Sequence, residues 1–238
     1  MVDDAELAGL DPYALLDAEA ARVDAHCSGL AGPEWDRPSR CAGWTARDLL
    51  AHLRATEDYH QACLDGEVTA LLTRFAERGV TSLDAANALG IADLTARSSS
   101  ELLDSWRTAN HETRARYRTR GDGRIDTTVG DYPARWQASH VALELATHAD
   151  DLGAAVTDGE RATRTAWMAR VSRFALAETK PDANVSGTDG RTHVRLGDDD
   201  VDVDVELADD DFVRAAAGRL NDSAGLDEPT RRALNTMP

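Results

Sequence analysis

The sequence lacks the features that mark membrane-spanning and secreted proteins. It has no uninterrupted apolar run of about 18 residues. Its N-terminus carries acidic residues instead of a basic segment followed by an apolar core. We therefore expect neither a transmembrane helix nor a secretory signal.

Cysteines are few and show no pairing pattern. Cys27, Cys41 and Cys63 are separated by long intervals and form no CxxC motif, which argues against a zinc ribbon or a dithiol redox site. Three thiols without a pairing pattern fit a reducing compartment. We therefore predict a cytoplasmic protein.

Basic residues are scarce relative to acidic ones. The chain has 26 Lys and Arg against 43 Asp and Glu, for a net charge of -17, and Lys180 is its only lysine. The negative electrostatic potential of such a chain repels nucleic acids and anionic membranes, so we predict neither as a partner. The acidity is better explained by solubility or salt adaptation than by a cationic partner, and the lysine scarcity by a GC-rich genome.

Helical patterns occupy the first two thirds of the chain. Its 238 residues, 42% of them hydrophobic, suffice for one large domain or two small ones with a sizeable core. Caps, glycine stops and 3.6-residue periodicity predict helices over residues 12–29, 45–63, 68–75, 83–94, 99–118, 130–152 and 163–179. Trp35 and Trp44 lie in the loop 32–44, where they either cap the core or wall a pocket.

The pattern changes after Lys180-Pro181. Short strands are predicted near residues 184–187, 193–196 and 201–207, the last with strict alternation of valine or leucine and acid. Asp209-Asp-Asp-Phe212 is predicted to cap a short helix that ends at Gly218-Arg219. The fold class is thus mainly α, with a helical bundle over residues 1–160 and a small α+β domain over residues 161–238.

One helix carries a possible metal-binding pair. Glu144 and His148 are four residues apart and share a helix face, where a carboxylate and an imidazole can hold one ion. His52, on its own capped helix, is the best candidate for a third ligand. His140 lies about 12 Å from His148 along the axis, which is too far to share the ion. His60 is a poorer candidate, two turns beyond His52 and about 80° around the helix.

Two aspartates could support these ligands. Asp151 could accept a hydrogen bond from the ring nitrogen of His148 that does not bind metal. Asp48 could orient His52, or it could only cap the helix. Three ligands of the type His, Glu, His leave a fourth position open, as in catalytic zinc sites. From the spacing of Glu144 and His148 alone, a surface pair or a hydrogen-bonded core histidine is the better explanation of the pattern. Adding His52 on its own capped helix makes the metal site an equally good explanation.

The sequence resembles the mycothiol-dependent maleylpyruvate isomerase family, a branch of the DinB-like metalloproteins. Residues 39–52 are similar to the family's GWT…AH motif, and residues 144–152 are similar to its ExxxHAxDL motif. Residues 216–219 are similar to the Gly-Arg pair near the end of its C-terminal domain. The resemblance implies an up-down four-helix bundle with metal ligands at one end of its core, together with a smaller α+β domain.

The resemblance also implies a site and a chemistry. His52, Glu144 and His148 become Zn2+ ligands, and Arg219 becomes a catalytic residue that could hold a substrate carboxylate. Alternatively, Arg219 only complements a helix dipole. The implied partners are a low-molecular-weight thiol, mycothiol, and a small-molecule electrophile, because zinc presents a bound thiol as a thiolate.

Four functions remain open from the sequence. We favour thiol S-transfer to the electrophile, because the middle of the chain and the acidic C-terminal region depart from the isomerase pattern. The alternative within the family is cis–trans isomerisation of the maleylpyruvate type. A non-catalytic binding protein of the same fold and, more remotely, a hydrolase that uses a metal-bound water are the rivals.

Overall fold

The structure is a computed structural model that describes residues 4–197, 202–220 and 225–236. The chain divides into two compact units, one formed by residues 11–155 and the other by residues 1–10 and 156–238. The predicted boundary at residue 160 falls within the helix Asp158–Thr179, and as a domain division it stays a prediction.

The first unit is built on four long helices that pack against one another. Its helices are α1 (Pro12–Gly29), α2 (Ala46–Asp65), α3 (Val68–Glu77), α4 (Leu83–Leu94), α5 (Ser99–Arg120) and α6 (Ala134–Leu152). Helices α1, α2, α5 and α6 form the bundle, in which α1 packs on α6 and α2 packs on α5. Their shared core contains Leu16, Val23, Leu49, Leu53, Leu102, Trp106, Val141 and Leu145, all buried.

Capping residues begin these helices where the sequence predicts them. Asp11 accepts hydrogen bonds from the backbone of Tyr13 and Ala14 at the start of α1. Thr45 and Asp48 form a reciprocal capping box on α2, which satisfies two backbone N–H groups that the helix itself cannot. The start of the helix that carries His52 is therefore set by local chemistry.

The segment before α6 is a β-hairpin, and the prediction that the helix begins at Gly130 is wrong. Strands β1 (Arg124–Thr127) and β2 (Gly130–Pro133) pair in antiparallel register. Thr127 Oγ1 closes the turn by donating to the Gly130 carbonyl over 2.9 Å. Pro133 keeps an extended backbone, with φ -63° and ψ 124°. Proline has no backbone N–H group, which is tolerated here because Pro133 ends an edge strand.

The second unit combines helices with a three-stranded sheet. A short 3-10 helix, Ala5–Leu7, and helices α7 (Asp158–Thr179), α8 (Asp209–Ala216) and α9 (Glu228–Leu234) accompany strands β3 (Asn184–Thr188), β4 (Arg191–Gly197) and β5 (Asp202–Ala208). The sheet is antiparallel in the order β3-β4-β5. The three predicted strands are confirmed, except that residue 201 lies outside the described residues. Helix α9 was not predicted.

The predicted fold class, mainly α with a four-helix bundle and a smaller α+β region, is confirmed. Among residues 4–197, 202–220 and 225–236, no helix is both long enough and apolar enough to cross a membrane.

Candidate metal centre

Helices α2 and α6 bring the three predicted ligands together. One ligand atom each from His52, Glu144 and His148 can be chosen so that all lie within 4.8 Å of one another. His52 Nε2 is 3.5 Å from Glu144 Oε1. The two imidazole rings meet edge to face, with centroids 5.0 Å apart. The three donors therefore converge on one point between the two helices.

This point is largely closed to water. His52 and His148 are each 6% exposed, whereas the Glu144 side chain is 23% exposed. Trp44 lies against the His52 ring at 5.0 Å between centroids, while Trp35 is buried in the core. Of the two loop tryptophans, Trp44 thus lines the candidate site and Trp35 caps the core.

Glu144 is held in its charged form by its neighbours. Burial acts to raise the pKa of Glu144, but the adjoining His52 and His60 rings outweigh it and hold that pKa well below its ordinary value. An ionised carboxylate accepts on both oxygens and is the form that binds a metal ion.

Asp151 orients the ring of His148, as predicted. The Nδ1 atom of His148 is 3.1 Å from Asp151 Oδ2, and a hydrogen bond there leaves Nε2 as the lone-pair nitrogen. Carboxylates in this position fix the ring and increase its strength as a metal ligand. The Asp151 side chain is also contacted by Cys41, whose Sγ is 3.1 Å from the same oxygen.

Asp48 does not support His52, so that alternative is wrong. Its Oδ2 accepts from the backbone N and the hydroxyl of Thr45, over 2.9 and 2.7 Å, which makes it a helix cap. His52 Nδ1 is buried and has no hydrogen-bond partner among the described residues. A buried imidazole nitrogen of this kind is costly to leave without a partner.

Of the two other histidines considered as ligands, His140 lies outside the centre and His60 lies beside it. His140 Nε2 is 3.1 Å from the hydroxyl of Tyr132, consistent with its exclusion on distance. His60 Nε2 lies 3.8 Å from Glu144 Oε2, whereas His52 is next to the other oxygen of that carboxylate. His60 was ranked low because of its angle around α2, but the long Glu144 side chain reaches between both rings.

Arg219 lies in the second unit, just after α8. Its Nη1 donates to the Ala217 carbonyl over 3.0 Å. The catalytic role predicted for Arg219 stays a prediction.

The donor set fits a zinc ion. Two imidazole nitrogens and one carboxylate are zinc's ordinary ligands at catalytic sites, where a fourth position is left for water or substrate. The two buried histidines, the ionised Glu144 between the His52 and His60 rings and the Asp151 carboxylate behind His148 all agree with a site that holds a cation.

The family of this chain follows from its N-terminal two thirds. A family model described as the mycothiol maleylpyruvate isomerase N-terminal domain matches residues 16–153, more than half of the sequence. The chain belongs to this family. This finding confirms the resemblance inferred from the two motifs, and the matched segment contains His52, Glu144, His148 and Asp151.

Two crystal structures are similar to this family member. One is a mycothiol-dependent maleylpyruvate isomerase, with 20% sequence identity, a TM-score of 0.58 and coverage of 89% of both chains. The other is a mutant of a mycothiol-dependent maleylpyruvate isomerase, with 20% identity and a TM-score of 0.50, covering 71% of this chain and 68% of that one. At this identity the likeness establishes a shared fold. No curated protein matches the sequence.

Proposed function

We propose that this protein is a zinc- and thiol-dependent isomerase of small molecules, of the maleylpyruvate type, with mycothiol as its thiol. The observation that carries the proposal is the convergence of His52, Glu144 and His148 within 4.8 Å in a chain of this family. His52, Glu144 and His148 would hold the metal.

A bound zinc ion would lower the pKa of a thiol in its open coordination position, so that the thiol is present as a thiolate. The chain's own residues supply the surroundings. Asp151 fixes the His148 ring, and Trp44 and the buried histidines would keep water away from a bound sulfur. The partly exposed side of Glu144 is where small molecules could approach.

The reaction itself needs no net consumption of thiol. A thiolate would add to one carbon of the cis double bond, and the electron pair of that bond would move onto the conjugated carbonyl oxygen, which leaves a single bond that can rotate. Return of the electron pair would expel the thiolate and restore the double bond in the trans form. Arg219 is proposed to hold a substrate carboxylate, since a guanidinium is a forked donor matched to that group.

Thiol S-transfer, the function favoured by the sequence alone, becomes the second candidate. Both reactions use the same activated thiol, but the family and both similar structures are described as isomerases. The similar isomerase covers 89% of this chain. The two candidates differ in whether thiol is consumed.

The test combines metal analysis with turnover of maleylpyruvate. We expect about one zinc per chain, and His52→Ala and His148→Ala should weaken zinc binding by more than about 100-fold. His111→Ala is the matched control, because His111 is exposed on α5. Isomerisation should require mycothiol and leave its concentration unchanged.

Each other outcome selects a different function. Consumption of mycothiol with an electrophile panel would support S-transfer, and turnover without any thiol would support a hydrolase. A protein that binds zinc but turns over none of these compounds would be a binding protein. Full zinc occupancy in both histidine variants would rule out the proposed ligands.

A further inference from the structure

A second set of metal-ligand atoms lies beside the proposed zinc ligands and shares His148 with them. Cys41 Sγ is 3.1 Å from Asp151 Oδ2 and 3.9 Å from His148 Nδ1. That nitrogen is 3.1 Å from the same carboxylate oxygen. Cys41, His148 and Asp151 are 8%, 6% and 4% exposed. Within the described part of the chain, this triad and the His52 set are the groups close enough to hold one ion.

The spacing of the triad matches metal coordination. Ligand bonds of about 2.0–2.3 Å at tetrahedral angles place donor atoms roughly 3.3–3.8 Å apart. The three separations, 3.1, 3.1 and 3.9 Å, lie within about half an ångström of that range. Small rotations of the side chains are therefore enough to bring all three donors onto one ion.

The loop that carries Cys41 is fixed against the end of α6. The Arg40 N–H donates to the Asp151 carbonyl over 3.0 Å, and the Cys41 N–H donates to Ser39 Oγ over 3.1 Å. The next two residues, Ala42 and Gly43, are exposed. The thiol is thus held in place just beneath the surface, where an ion can reach it.

We propose that Cys41, Asp151 and His148 Nδ1 form an alternative site for a soft, thiophilic metal ion such as Cd2+, and that filling it removes His148 from the zinc site. The thiolate selects for a soft ion, and the thiol proton is released to solvent when the metal binds. The inference rests on the proposed function, because the ligand it withdraws belongs to the proposed zinc site.

Competition follows from the chemistry of one imidazole. A neutral imidazole has a lone pair on only one of its two nitrogens. With the proton on Nδ1, His148 donates to Asp151 and offers Nε2 to the His52 set. With the proton on Nε2, it offers Nδ1 to the Cys41 set. The chain therefore binds an ion in one site or the other.

The test is a titration of the metal-free protein with Cd2+, followed by ultraviolet thiolate-to-cadmium charge-transfer absorption. We expect one Cd2+ per chain with the thiolate band. Cys41→Ser should lose the band and bind Cd2+ more weakly by more than about tenfold. The matched control is Cys27→Ser, since burial raises the pKa of the Cys27 thiol to about 12 and Cys27 lies in α1. Saturating Cd2+ should lower the apparent zinc affinity of the wild type but not of Cys41→Ser.

The variants separate this inference from the proposed function. His52→Ala should lose zinc binding and keep the cadmium band, because His52 is not one of the three ligands Cys41, His148 and Asp151. If zinc binding does not depend on His52 but the band behaves as expected, the proposed function fails and the alternative site stands.

Three results would overturn the alternative site. They are a wild type without a thiolate band, a band that survives in Cys41→Ser, and two ions bound to one chain at saturation. If Cys41→Ser fails to fold, cadmium NMR of the wild type decides, because a sulfur ligand moves the resonance far downfield of nitrogen and oxygen ligands.

Discussion

Glu57 is a carboxylate buried in the bundle with only one of its oxygens satisfied. Asn110 Nδ2 donates to Oε1 over 2.8 Å, while Oε2 has no hydrogen-bond partner among the described residues. Burial is the largest influence and raises the pKa of Glu57, because a charged carboxylate loses its hydration there. The residue sits one turn before His60 on α2, close behind the candidate metal centre.

The raised pKa predicts the sign of a stability change. Below the ordinary glutamate pKa of about 4.3, the residue is protonated in both folded and unfolded chains. As pH rises above that value, the unfolded chain ionises first, so Glu57 makes folding less favourable. Glu57→Gln should therefore stabilise the metal-free protein at pH 7.5 by on the order of 1 kcal/mol, and by less below pH 5.

Urea denaturation at the two pH values measures this effect. The exposed Glu112, on α5, supplies the control Glu112→Gln, whose unfolding free energy should change by no more than about 0.5 kcal/mol. A Glu57→Gln protein that loses stability at pH 7.5 would contradict the prediction, since it would mean that the ionised carboxylate is stabilising.

At the scale of single elements, local chemistry accounts for most of what the sequence could predict. The helix starts at Asp11 and Thr45 are caps whose partners lie within three residues, so the sequence contains the whole signal. The hairpin before α6 was missed because Gly130 and Pro133 are also typical of a helix start. Residues 130–133 form a strand because they pair with β1, and the periodicity of a single segment does not show such pairing.

Strand β3 contains a close approach that predicts a stability effect. A Cβ on Gly187 would lie 2.4 Å from Arg173 Cζ. That guanidinium is buried between Glu6 and Asp209, at 2.9 and 3.4 Å. Gly187→Ala should displace it from both carboxylates and cost about 2–3 kcal/mol, since a broken buried pair leaves an uncompensated charge.

Gly197→Ala is the matched control in the same sheet. Nothing lies within 4 Å of a Cβ at Gly197, and neither glycine has a positive φ. Chemical denaturation of both variants should show a loss for Gly187→Ala alone. Equal stabilities would mean that Arg173 moves aside without losing its partners.

At the scale of the whole molecule, the candidate centre draws on one unit of the chain. His52, Glu144 and His148 could be predicted because a four-residue step and two motifs are local signals. Cys41 and His60 could not, because each reaches the centre through packing between separate elements: a loop against the end of α6, and α2 against a long side chain. Arg219 belongs to the second unit, and its predicted catalytic part rests on the family resemblance.

This division predicts that metal binding and turnover can be separated. A fragment of residues 11–155 retains Cys41 and Asp151 together with all three predicted ligands. It should bind zinc with an affinity within about threefold of the full chain, because no ligand is lost. It should lack isomerase activity if Arg219 holds the substrate. Chelator competition measures the affinity, and circular dichroism checks that the fragment folds.

Two control variants test which residues are responsible for zinc binding and for turnover. The fragment carrying His148→Ala should lose zinc, which ties binding to the predicted ligands. In the full chain, Arg219→Lys keeps the charge but removes the forked donor, so it should raise KM more than it lowers kcat while leaving zinc affinity unchanged. A folded fragment whose zinc affinity falls by more than about tenfold would mean that the second unit contributes to the metal site itself.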